Sequence, residues 1–172
     1  MKRLALFALA LAAVCLMPSC KKIDLNEQIP QLKGSWYWEM STIGGGIGNI
    51  YADTPNLVLT FEDDNKISID CNDERLFESE TYTVCKSNNS ILGDYIITMP
   101  KKIQAKVAEC VGLPEGYIMM NGYVSVIDYI PEPDPSSRTK RLVFIDKKEV
   151  DVGLEGGNYH KSSMFAPTHE LN

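Results

Sequence analysis

The residues of this chain that could carry chemistry are two histidines, a glycine run and adjacent carboxylates. His160 and His169 are the only histidines, and neither stands in a Gly-x-Ser-x-Gly motif or at metal-ligand spacing. The glycines of residues 44–48 cannot be read as Gly-x-Gly-x-x-Gly, so they predict no dinucleotide site. Asp63 and Asp64 lack the spaced oxygen ligands of a calcium site and are typical of a turn. We therefore predict no catalytic residue, no metal and no cofactor, and we expect that the protein is not an enzyme.

One thiol stands in a pattern with a chemical meaning. Lys2 and Arg3 precede an apolar run over residues 4–17, which is shorter than the roughly 20 residues of a bilayer-spanning helix and is typical of a signal peptide. The run is followed by Ser19 and Cys20. This pattern resembles that of bacterial lipoproteins, in which cleavage before the cysteine frees it to carry a diacylglycerol. The resemblance implies that Cys20 is the site of lipid attachment.

These features divide the chain into three parts. Residues 1–19 are predicted to be the signal peptide, residues 20–33 a polar tether behind the lipid anchor, and residues 34–172 one folded domain. The chain of 172 residues has a net charge of −6. Nucleic acid requires a basic surface, so we exclude it as a partner and expect contact with a membrane only through the anchor. The lipoprotein pattern implies the bacterial cell envelope, on the periplasmic or the surface face of the outer membrane.

The folded domain is predicted to be organised around a first strand over residues 34–43. Side chains alternate between the two faces of a strand, so Trp36, Trp38, Met40 and Thr42 should share one face. Two indoles are too apolar to be left in water, so this face is predicted to point into a core.

Period-two alternation continues along most of the chain. A hairpin is predicted over residues 57–71, and residues 72–80 are read as a polar connection. Further strands are predicted over residues 81–85, 91–99, 117–130, 140–146 and 157–165. Eight or so strands with short connections predict an all-β fold, an antiparallel barrel of about eight strands that leaves no edge exposed.

One segment has helical rather than strand periodicity. Its apolar positions are spaced i, i+4, i+7 and i+8, which predicts a short amphipathic helix that begins after Pro100 and ends by Gly112. We expect this inserted helix to pack over the outside of the barrel. The apolar positions are Ile103, Val107, Cys110 and Val111.

Three cysteines lie within the predicted domain, in a chain expected to enter an oxidising compartment. Cys110 is on the apolar face of the helix, Cys71 on the inward face of its strand, and Cys85 outward by parity. A helix outside the barrel would meet an outward cysteine first. A disulfide between Cys85 and Cys110 is therefore predicted, with Cys71 as a buried thiol.

The first strand also resembles that of a known group. Gly34 and Trp36 match the Gly-x-Trp that opens the barrel in lipocalins and related calycins, where the tryptophan closes one end. Together with Trp38, the glycine-rich residues 41–48 and the strand over residues 57–61, the chain is similar to small lipocalin-like lipoproteins of the Bacteroidetes. The resemblance implies a non-enzymatic binding protein.

Two functions remain open for such a barrel. Its interior could bind a small hydrophobic ligand, in which case the bulky inward side chains of three strands should form the wall. Alternatively, a filled barrel could act as an interaction or inhibitor module whose loops, residues 44–55 and 131–137, contact another envelope protein. The predicted ligand-binding residues are Trp38, Met40, Phe61 and Tyr82.

Overall fold

The computed structural model describes residues 32–43, 48–52, 56–87, 92–130, 138–147 and 161–168. These segments contain ten strands and one helix, α1, over Lys101–Val111. The strands are β1 (Gly34–Ile43), β2 (Gly48–Tyr51), β3 (Leu57–Phe61), β4 (Lys66–Cys71), β5 (Glu74–Thr81), β6 (Thr83–Lys86), β7 (Tyr95–Thr98), β8 (Gly122–Tyr129), β9 (Thr139–Ile145) and β10 (Ser162–Pro167).

All ten strands belong to one curled antiparallel sheet. Nine lie side by side in the order β5, β4, β3, β1, β10, β9, β8, β7, β6, and β2 pairs with β1. Only Tyr82 separates β5 from β6, so residues 74–86 form one bent segment that pairs first with β4 and then with β7. If β5 and β6 are counted as one strand, the sheet has eight neighbouring strands, not counting β2. The predicted all-β barrel with one short helix is confirmed.

Two strands were not predicted from the sequence. β5 lies in the segment read as a polar connection, and β2 follows the glycine run. Neither strand shows a clean alternation of buried and exposed residues, because both are largely exposed on both faces. The period-two pattern depends on one buried face, so it does not reveal such strands.

A β-bulge in β1 changes which side chains point inward. Both tryptophans are buried as predicted, but the pairing with β10 shifts register between Trp38 and Met40. An extra residue in one strand reverses the parity beyond it. Ser41, with no exposed surface, therefore takes the inward position, and Met40 pairs with Met164 on the outer face, where both are half-buried. The prediction that Met40 points into the barrel is wrong.

The inserted helix begins and ends where the sequence predicts. It follows Pro100, and Gly112 ends it in the left-handed conformation (φ 70°) with its N–H directed at carbonyls of the last turn. Its two buried residues, Ile103 and Val107, belong to the same hydrophobic core as the inward residues of the strands. The helix therefore packs against the core. The prediction that it packs over the outside of the barrel is wrong.

The position of the helix decides the disulfide. Cys110 is bonded to Cys71, whose side chain is inward and buried at the end of β4. The predicted Cys85–Cys110 disulfide is therefore wrong. The error follows from placing the helix outside the barrel, where an outward cysteine would have been nearer.

Candidate functional site

The four predicted ligand-binding residues do not line a common cavity. Trp38, Phe61 and Tyr82 are buried in the core with 3%, 2% and 5% of their surface exposed, whereas Met40 lies on the outer face. The Phe61 and Tyr82 rings pack edge to face with their centroids 5.5 Å apart. Around these three rings the interior is a packed core.

A buried chain of hydrogen bonds fixes the segment that fills this part of the interior. The Trp38 indole N–H donates to Ser41 Oγ (3.1 Å), and the hydroxyls of Ser41 and Ser163 share a hydrogen bond of 2.5 Å. Ser163 Oγ also accepts from the backbone N–H of Met119 (2.7 Å). The segment after α1 is thereby held against the barrel, and its residues 118–120 are buried in the core.

Burial gives Tyr82 a measurable signature. Loss of hydration raises the pKa of its phenol from 10.0 to about 12. The pKa of Tyr82 is higher in the folded than in the unfolded protein, so the neutral phenol favours folding. This contribution to the free energy of unfolding is complete below pH 10 and is lost as the pH rises towards 12. We expect spectrophotometric titration to show that Tyr82 ionises late. Tyr82→Phe should remove this late step, together with up to about 3 kcal/mol of the loss of stability at alkaline pH.

Tyr51 provides the control for this measurement, because 62% of its surface is exposed. The Tyr51→Phe variant should keep the late ionisation. If that variant, and not Tyr82→Phe, lost it, the assignment to Tyr82 would be wrong.

A pocket of 450 Å³ opens at the end of the barrel where β1 begins. It is formed by the first residues of β1, the last of β10, the middle of β8, and the segment that enters β7. Its apolar wall consists of Leu32, Trp36, Tyr95, Val124, Val126 and Pro167. Its polar lining consists of Lys33, Ser35, Asp94, Ser125, Lys140 and Thr168.

Trp36 belongs both to the lining of this pocket and to the hydrophobic core. Its indole N–H donates to the carbonyl oxygen of Leu32 (2.9 Å), and both residues are at least 95% buried. Leu32, which the sequence assigns to the tether, is thus packed against the barrel. The resemblance implies that Trp36 closes one end of the barrel, and in the structure Trp36 forms part of the lining of this pocket.

Two lysines at the pocket form ion pairs. Lys33 Nζ lies 2.7 Å from Asp63 Oδ1, and Lys140 Nζ bonds to an oxygen of Asp128. The hydrogen bond from Lys140, and then its charge, lowers the pKa of the Asp128 carboxyl. The lining is thus about half apolar and half polar, which suits a small ligand with an apolar part and a polar end.

Other groups that could do chemistry are explained by structural roles. Glu62 accepts hydrogen bonds from the hydroxyls of Ser68 and Ser79, which lower its pKa, and this links the turn before β4 to β5. In the described part of the chain, no three His, Cys, Asp or Glu side chains cluster to hold a metal ion. The same residues include no helix long and apolar enough to span a membrane. Cys20, His160 and His169 lie outside them.

The pocket could not be identified from the sequence, because its lining comes from separate stretches of the chain. Gly34 and Trp36 carried the only sequence signal for this end of the barrel.

Comparison with known proteins adds no relative: no protein-family model, no curated protein and no solved structure matches the chain.

Proposed function

We propose that this protein is a lipid-anchored binding protein of the bacterial cell envelope that holds a small amphipathic molecule in the pocket beside Trp36. The observation that supports this proposal is the pocket of about 450 Å³ whose lining combines apolar and polar side chains. Its volume is within the range of small-molecule sites, about 300–1,000 Å³. The role is non-catalytic and requires no cofactor.

The proposed anchor would keep the pocket near a membrane. Residues 21–31 separate Cys20 from Leu32, and Leu32 and Lys33 line the pocket. Even fully extended, such a segment spans at most about 40 Å. An amphipathic ligand that partitions into that membrane would therefore be close to the pocket. Loss of detergent-phase partitioning in Cys20→Ala tests the anchor.

Binding should be visible in tryptophan fluorescence, because Trp36 lines the pocket. We expect decanol to change the emission of the domain from residue 25 onward in a saturable way. Val126→Phe fills the pocket from β8, where Val126 is half-buried, and should weaken binding about tenfold or more.

Val58→Phe is the matched control. Val58 is also half-buried, but it lies on the outer face of β3 and pairs with Tyr37 and Asp70, which do not line the pocket, so the same added volume should leave binding unchanged. Equal loss of affinity in both variants, or no saturable signal in the parent domain, would refute binding in this pocket.

The second candidate function is an interaction module, and two observations favour it. Tyr51, exposed by 62%, lies within residues 44–55, and Ile130, exposed by 49%, directly precedes residues 131–137, the two loop regions predicted to contact a partner. The packed core around Trp38 also suits a filled barrel. A photo-crosslinking residue at position 51 or 130 should then give a discrete adduct with one envelope protein, whereas the same residue at the exposed Glu115 should give none.

A further inference from the structure

The charges at the pocket differ from those of the whole chain. The protein has 23 acidic and 17 basic residues. The pocket lining instead contains two lysines, Lys33 and Lys140, and one acidic residue, Asp94. The lining thus holds two ammonium groups, each paired with an aspartate outside it, and one carboxylate, so an anionic group that enters the pocket would meet ammonium donors.

Both lysines form ion pairs with carboxylates that are not part of the lining. Lys33 pairs with Asp63 and Lys140 with Asp128, and all four side chains are more than half exposed. Exposed pairs of this kind contribute little to stability and are screened by salt. Either ammonium group can therefore exchange its aspartate for another anion without a large loss of stability.

We propose that the pocket selects an amphiphile with an anionic head group, which replaces Asp128 at Lys140 and Asp63 at Lys33. The inference rests on the proposed function and adds the chemical class of the ligand. The apolar chain of the ligand lies along Trp36 and Val126, and its head group lies at the two lysines. A lysine ammonium group is a compact positive charge with three N–H donors, so it can bind either a carboxylate or a phosphate.

Four ligands with the same chain and different head groups test this proposal. Decanoate, decyl phosphate, decanol and decyltrimethylammonium are titrated against the domain from residue 25 onward below their micellar concentrations. We expect at least one of the two anions to bind about tenfold more tightly than decanol, the cation to bind most weakly, and added salt to reduce this difference. The comparison of the two anions distinguishes a carboxylate ligand from a phosphate.

Variants of the Lys140–Asp128 ion pair should change the affinity for the anion in opposite directions. Lys140→Gln should lower the affinity for the anion several-fold, towards that for decanol, with the remaining preference due to Lys33. Asp128→Asn should instead raise the affinity for the anion several-fold, because Lys140 loses its competing carboxylate, and should leave decanol binding unchanged. Lys106→Gln is the control, since Lys106 has a similar exposed pair with Glu109 on α1, away from the pocket.

The outcomes separate this inference from the proposed function. Decanol binding as tightly as both anions, or no gain of anion affinity in Asp128→Asn, overturns the selection of an anionic head group and leaves the binding pocket in place. If none of the four ligands binds, the proposed function fails and the inference fails with it.

Discussion

Replacing Gly122 by alanine is expected to destabilise the protein by about 4 kcal/mol or more, or to prevent folding. Gly122 begins β8 with φ +118°, and a Cβ atom there would lie 2.1 Å from the carbonyl oxygen of Ile145. That oxygen belongs to the backbone of the paired strand, so it cannot move without breaking the sheet. Both the backbone conformation and the contact therefore require glycine. Urea unfolding followed by circular dichroism measures the loss.

Gly112→Ala separates the two causes. Gly112 also has a positive φ, +70°, but a Cβ atom there would have no neighbour within 4 Å. Alanine should cost only the strain of the left-handed conformation, about 1–2 kcal/mol. Equal losses in the two variants would contradict the close approach of β8 to Ile145.

Loss of the Cys71–Cys110 disulfide is the second change with a large expected effect. The bond joins residues 39 positions apart, so its absence releases a long loop in the unfolded chain. The Cys71→Ala/Cys110→Ala variant should lose about 2–4 kcal/mol of the free energy of unfolding. Tryptic cleavage at Lys101 and Lys106 should also accelerate, since the helix then loses its covalent link to β4 and keeps only noncovalent contacts with β4, β5 and the core.

Glu109→Ala is the control for the disulfide variant. Glu109 precedes Cys110 on the same helix, and its side chain is 71% exposed, so its removal should leave both the stability and the cleavage rate nearly unchanged. Peptide mapping without reductant should find Cys71 joined to Cys110. A map that joins Cys110 to another cysteine would contradict the proposed position of α1.

The amino-acid pattern by itself determined the elements with one buried face. The alternation in β3 and β4 was readable because one side of each strand is packed against the core. The i, i+4, i+7 spacing after Pro100 and the glycine at 112 likewise defined α1 within a residue. The burial of Trp36 and Trp38 followed from their size and parity. These features depend on local spacing and on the cost of exposing apolar surface, which the sequence contains directly.

Only the tertiary structure decided how those elements are arranged around the site. The bulge in β1 turned Met40 outward. No local sequence pattern predicts this bulge, because it arises from the pairing of β1 with β10. The side of the sheet on which α1 packs, and with it the partner of Cys110, depends on contacts between segments far apart in the chain. The pocket beside Trp36 has the same origin, since Leu32, Val126 and Lys140 become neighbours only when the sheet curls.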